Sequence, residues 1–187
     1  MADAALKVLG LCGSLRRGSW NRMALRAAIE LAPAGMSIED YDRLGEIPPY
    51  NDDVREEGNP PVVQDLRARI AAADAVLFAT PEYNYSVPGV LKNAIDWASR
   101  PPSPPFDGKP VAIMGASPGL VGTARAQYHL RQTCVFLNAF PLNRPEVMIS
   151  QAPNKFSADG KLTDEQTRKF VSDLLASLAD WTRRLQR

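Results

Sequence analysis

The stretch GSLRRGSWN, Gly13 to Asn21, gathers two glycines, two serines, two arginines and an asparagine amide, and no acidic residue follows before Glu30. Residues of these types hold anions. The stretch follows the apolar run KVLGLC and precedes a helical pattern, so it is a strand-to-helix turn. A helix N-terminus offers unpaired N–H groups and the positive end of the helix dipole, which makes such a turn a ready phosphate site. Gly13 and Gly18 have the spacing of a Walker loop. Ser19 and Trp20, however, stand where that loop needs its lysine and its magnesium-binding hydroxyl, so ATP is excluded. The GxGxxG of a dinucleotide site is missing too. A terminal phosphate monoester exposes more oxygens and carries nearly two charges. It suits Ser14, Ser19, the Asn21 amide and Arg16 converging with backbone N–H groups. The turn reads as a mononucleotide phosphate site.

Two further segments carry unusual residues. PEYNYS sets Glu82, Tyr83, Asn84 and Tyr85 in a turn between Pro81 and Pro88. GASPGLVGT contains Gly115, Ser117 and Gly119 as GxSxG, the pattern of a hydrolase nucleophile elbow. The residue after such a nucleophile must donate its N–H to the oxyanion, and Pro118 has none. The only histidine is His129, with no carboxylate between it and Ser117. An esterase is excluded, and a lone histidine leaves little scope for a metal site. The sequence offers no triad, no carboxylate pair and no catalytic side chain.

The elements that must position these segments alternate between apolar β-type runs and helical patterns. KVLGLC leads to a helix over about 21–31, and MSIEDYD follows as a strand with an imperfect alternation at Met36, Ile38 and Asp40. A long loop, 43–59, precedes a helix over about 61–73. AVLFA (75–79) and PVAIMGA (110–116) are wholly apolar and suit strands buried on both faces. Between them, Ser86 is the candidate N-cap of a helix whose stripe is Leu91, Ala94, Ile95 and Ala98, and PPSPPFDG is a stiff spacer. A helix over about 123–137 leads to PEVMIS as the last strand. Thr163 and Gln166 form a capping-box signature for a terminal helix with stripe Phe170, Leu174, Leu178 and Leu185. Five β/α units in one domain over 1–187 predict a doubly wound parallel sheet.

Composition fits that reading. The 187 residues are 45% hydrophobic and 23% charged, the profile of one globular domain that can bury its core unaided. A net charge of +1 argues against a nucleic-acid binder, and no apolar run approaches the roughly 20 residues that span a bilayer. The opening MADAALKVLG carries Asp3 and runs into a strand, unlike a signal peptide. Cys12 and Cys134 lie far apart without CxxC, as expected of reduced thiols in a cytoplasmic protein.

GSLRRGSWN together with TPEYNYSVPGVLKNAIDW closely resembles the NADPH-dependent FMN reductase family, especially its chromate- and quinone-reducing members. The likeness runs from LGLCGSLR through NRPEVMI. It implies a flavodoxin-like sheet in the order 2-1-3-4-5, tightly bound FMN and an oligomer of two or four chains. The loops singled out above follow strands 1, 3 and 4, which are neighbours in that order, at the switch point where ligands bind. The residues expected to bind FMN in the first loop are Gly13, Ser14, Arg16, Ser19, Trp20 and Asn21, with Ser14, Arg16, Ser19 and Asn21 at its phosphate. By the resemblance Glu82, Tyr83 and Asn84 meet the flavin edge, with Pro81 and Tyr85 also expected at the cofactor, and Ser117 and Gly119 lie close to the ring. NADPH or NADH is the expected co-substrate, reducing FMN before a quinone, chromate or free flavin takes the electrons in a ping-pong sequence. The alternatives are a flavodoxin-type electron carrier, which the near-neutral charge disfavours, and a flavin-binding redox sensor with Cys12 beside the phosphate loop. Tyr128 and Val135 give the 123–137 helix a second, partly apolar face beside Arg125 and Arg131. With Glu146 as a possible partner for these arginines, that face is the expected homo-oligomer contact.

Overall fold

A computed structural model describes residues 5–186, so Asp3 lies outside the described residues. Strands β1 (Leu6–Cys12), β3 (Ala75–Ala79) and β4 (Pro110–Ala116) form the centre of a parallel sheet, with β2 (Met36–Tyr41) beside β1. Their residues are buried almost throughout because helices cover both faces. Helices α1 (Trp20–Glu30) and α6 (Glu165–Leu185) pack on one face against Val8, Leu77 and Met114. Helices α3 (Pro61–Ala72), α4 (Gly89–Ala98) and α5 (Ala124–Phe136) pack on the other against Leu9, Phe78 and Ile113. This is the expected flavodoxin-like arrangement in the order 2-1-3-4-5. The irregular alternation of β2 also has a cause. Asp40 shares the half-buried side of Met36 and Ile38 because it pairs with Arg22 of α1.

Several local expectations change. The 43–59 segment is not a plain loop: it contains a 3-10 turn over Arg43–Glu46 and a short helix α2 (Asp52–Glu57), capped where the Asn51 side chain accepts from the Asp53 amide. The last strand divides in two. Segment β5 (Phe140–Pro141) pairs with the start of β4, and β6 (Val147–Ile149) pairs with its end. Between them the Leu142 amide still donates to the Val111 carbonyl of β4, and its carbonyl accepts from Arg131. Ser86 does not cap α4, whose first turn follows Pro88 without a side-chain cap; its hydroxyl meets His129 Nδ1 at 3.0 Å instead. Nor do Thr163 and Gln166 box the start of α6. Asp164 caps it, accepting from the Thr167 amide and hydroxyl, and those bonds together with the Lys155 ammonium hold its carboxyl down at about 2. Phe170 and Leu185 are exposed, and the buried stripe of α6 is Thr167, Val171, Leu174, Leu175, Leu178, Ala179 and Thr182.

Candidate active site

The register aligns the carboxyl ends of the three central strands, with Cys12 opposite Ala79 and Ala79 opposite Met114. The loops that follow them therefore meet at one edge of the sheet. In the first loop, Ser19 is the N-cap of α1, its hydroxyl accepting from the Arg22 amide at 3.3 Å. The Ser19 amide itself donates to the Arg16 carbonyl, whereas the amides of Ser14 to Gly18 meet no acceptor among the described residues. Ser14 and Ser19 are buried beside these free donors. The Arg16 guanidinium bonds the Gly18 carbonyl and lies over the Trp20 ring, 4.6 Å from its centroid. Gly13 is needed for packing: a Cβ there would fall 2.9 Å from Pro88 Cγ. Asn21 turns away from the loop, exchanging two buried 2.8 Å bonds with the carbonyl and amide of Ala116.

In the second loop, paired backbone bonds between Tyr83 and Ser86 close a tight turn in which Asn84 (φ 51°) and Tyr85 (φ 64°) are both left-handed. Tyr83 points to the first loop, its hydroxyl 3.5 Å from that of Ser14. Glu82 reaches the first turn of α5, its Oε2 accepting from the Arg125 amide, and Gly115 of β4 is wedged between the two loops: a Cβ on it would fall 1.9 Å from Thr123 Oγ1 and 2.3 Å from the Thr80 carbonyl. In the third loop Ser117 donates to the Gly122 carbonyl at 2.6 Å, and the Gly119 carbonyl accepts from Gln151.

One cleft joins the three loops. Ser14, Arg16, Ser19, Trp20 and Asn21 line it from the first, Pro81, Glu82 and Tyr83 from the second, and Ser117 from the third. Gly13, Asn84, Tyr85 and Gly119 stand outside its lining, and Ala116 and Pro118, which sequence reasoning missed, belong to it. Ala116 carries no polar side chain, so only its place at the end of an apolar run could have signalled it. Free amides at a helix start, two buried hydroxyls and an arginine with no carboxylate partner among the described residues suit a phosphate ester, so the residues present fit FMN. The cleft measures about 140 Å³, less than the ~300–1,000 Å³ that encloses a drug-sized ligand. A mononucleotide seated here keeps part of its surface open.

A family model, NADPH-dependent FMN reductase, matches residues 6–154. The chain belongs to this family. It is an NAD(P)H-dependent flavin enzyme with FMN as cofactor. An NAD(P)H-dependent FMN reductase of Pseudomonas aeruginosa is 62% identical over 97% of both chains. A quinone reductase of Escherichia coli K12 is 45% identical, again over 97% of each. Among solved structures, a flavoenzyme NAD(P)H:(acceptor) oxidoreductase from Paracoccus denitrificans superposes with a TM-score of 0.88 at 38% identity, covering 96% of this chain and 98% of its own. No group of His, Cys, Asp and Glu residues that could hold a metal occurs among the described residues. None of their helices is long and apolar enough to cross a membrane.

Proposed function

We propose that the chain reduces small-molecule electron acceptors, quinones first among them and chromate and free flavin besides, with electrons from NADPH or NADH. FMN held in the cleft would supply the redox chemistry between reductant and acceptor. The chain's own residues bind and orient. The first loop takes the phosphate at Ser14, Arg16, Ser19 and the α1 amides, and the second loop faces the flavin edge through Pro81 to Tyr85. Ser117 lines the third side. One observation carries this reading: the amides of the 14–18 loop stand free at the start of a helix, in a cleft shared with the other two loops.

Reductant and acceptor use the same open side of that cleft in turn, because the described residues form a single sheet with one cleft at its loop edge. The expected kinetics are ping-pong: double-reciprocal plots of NAD(P)H oxidation at several quinone concentrations should be parallel. Intersecting lines would rule out the alternating use of one site. With few contacts available to the adenosine end, NADPH and NADH should differ modestly in kcat/KM. A preference above about 100-fold, roughly 2.7 kcal/mol, contradicts that. No turnover with any quinone, despite stoichiometric FMN, would favour the electron-carrier reading. The two buried free thiols, Cys12 and Cys134, are compatible with a reducing cytoplasmic setting.

A further inference from the structure

We propose that Glu82 is a positioning residue, which sets the second loop of the cleft by capping α5 from a distance and holding Arg125 against Tyr85. This rests on the flavin reading of the cleft. It assigns the Glu82 carboxylate to the protein, leaving only its backbone for the flavin edge.

The first turn of α5 lacks both of the usual devices. It contains no acidic residue, and Thr123, which occupies the N-cap position, makes no capping bond. The Thr123 hydroxyl is committed elsewhere, accepting from Gln127 Nε2 at 3.1 Å. Glu82 takes over the task from the preceding β/α unit. Its Oε2 accepts from the Arg125 amide at 3.0 Å and the Ala126 amide at 3.1 Å, and its side chain is only 9% exposed. A carboxylate on two helix-start amides is the favoured charge at the favoured end of the helix dipole. The other oxygen, Oε1, lies 3.4 Å from Arg125 Nη1.

Arg125 passes that restraint back to the second loop. Its guanidinium sits over the Tyr85 ring, 4.1 Å from the centroid. Tyr85 needs an external hold. It occupies the second of two consecutive left-handed positions, where a two-residue turn prefers glycine and a residue with a Cβ is disfavoured. The stack offsets that preference. Glu82, Arg125 and Tyr85 thus close a circuit between the second loop and the helix behind the third, and the circuit fixes the gap across which a flavin ring must fit.

The test compares Glu82→Ala, Glu82→Gln and Arg125→Ala by amide hydrogen exchange of the apoprotein and by titration with FMN and riboflavin. In Glu82→Ala, exchange at Arg125 and Ala126 should quicken about 5- to 30-fold, the equivalent of a lost cap. Affinity for both flavins should fall together by a similar factor, since the ring side and not the phosphate side is disturbed. Glu82→Gln keeps an acceptor oxygen on the two amides and should restore most of the protection and part of the affinity. Arg125→Ala should leave Ala126 protected while weakening both flavins. If Glu82→Ala does not fold, the Gln and Arg125 variants decide the matter. Unchanged amide exchange in Glu82→Ala, full loss of flavin binding in Glu82→Gln with protection intact, or a loss confined to FMN would each overturn the proposal. A wild-type protein that binds neither flavin refutes the flavin reading instead, and the exchange data still report on the cap.

Discussion

Arg16 carries a positive charge at the mouth of the cleft with no carboxylate beside it among the described residues. Its two contacts, the Gly18 carbonyl and the Trp20 ring, come from its own loop and hold the guanidinium in place without neutralising it. We propose that the FMN phosphate is the missing anion. Arg16→Ala should remove one charge-assisted contact, worth about 1.5–3 kcal/mol, and weaken FMN roughly 10- to 150-fold. Riboflavin has the same ring but no phosphate, so its affinity should hardly change. Titration of both flavins into wild-type and variant apoprotein isolates the phosphate contribution. Equal weakening of the two would mean that Arg16 shapes the loop and does not hold phosphate. The cysteines offer nothing comparable. Cys12 and Cys134 are buried in separate clusters on opposite faces of the sheet, and burial pushes both thiols up, Cys134 to about 11. A redox role for Cys12 needs an accessible thiolate, which burial denies it.

At the scale of elements, Asn21 shows what the phosphate loop must also do. Its side-chain amide takes both the carbonyl and the N–H of Ala116, locking the start of α1 to the end of β4 across the cleft floor. Asn21→Ala leaves both buried backbone groups unpaired and should cost about 2–4 kcal/mol in denaturant unfolding. A loss below about 0.5 kcal/mol would mean that the two groups find other partners. The strands and the long helices were legible because a buried parallel strand is a continuous apolar run and an amphipathic helix repeats every three to four residues. The joints were not. Ser86 looks like a helix cap, yet its partner is His129, 43 positions on, and the cap of α5 arrives from Glu82, 44 positions before Ala126. Such pairings depend on which loops the sheet order brings together, and no local pattern encodes them. The same holds for the divided last strand. PEVMIS marks only β6, whereas Phe140 and Pro141 are too short a run to signal a strand until β4 lies beside them. At the cleft, side-chain chemistry pointed to Ser14, Arg16 and Ser19, which do line it, whereas the Asn21 amide is spent on Ala116 and Ala116 joins the lining by position alone.

For the whole molecule, the outer face of α5 stays uncovered in a single chain. Ala126, Leu130 and Cys134 are buried inwards, while Tyr128, Val135 and Phe136 are 54%, 80% and 75% exposed on the far side. Phe140 adds a partly exposed ring nearby in sequence. Contiguous apolar surface of this kind is better hidden by another protein surface than left in water. The charged candidates for that contact have partners within the chain: Arg125 pairs with Glu82, and Arg131 faces Glu146 at 3.9 Å. The apolar residues, more than the ion pairs, must then drive association. We expect a homodimer or homotetramer, and Val135 is the sharpest probe because it is the most exposed of the three and supports no core packing. Val135→Glu introduces a good helix former at a surface position, so the monomer fold should change by no more than about 0.5 kcal/mol. Buried against a second copy, the same carboxylate would lose its water and repel its symmetry mate. Light scattering at micromolar protein and physiological salt should give at least a dimer for the wild type and a lower mass for Val135→Glu. A wild-type monomer would sink the expectation of an oligomer. A variant mass equal to the wild type across a dilution series would move the interface off this face of α5.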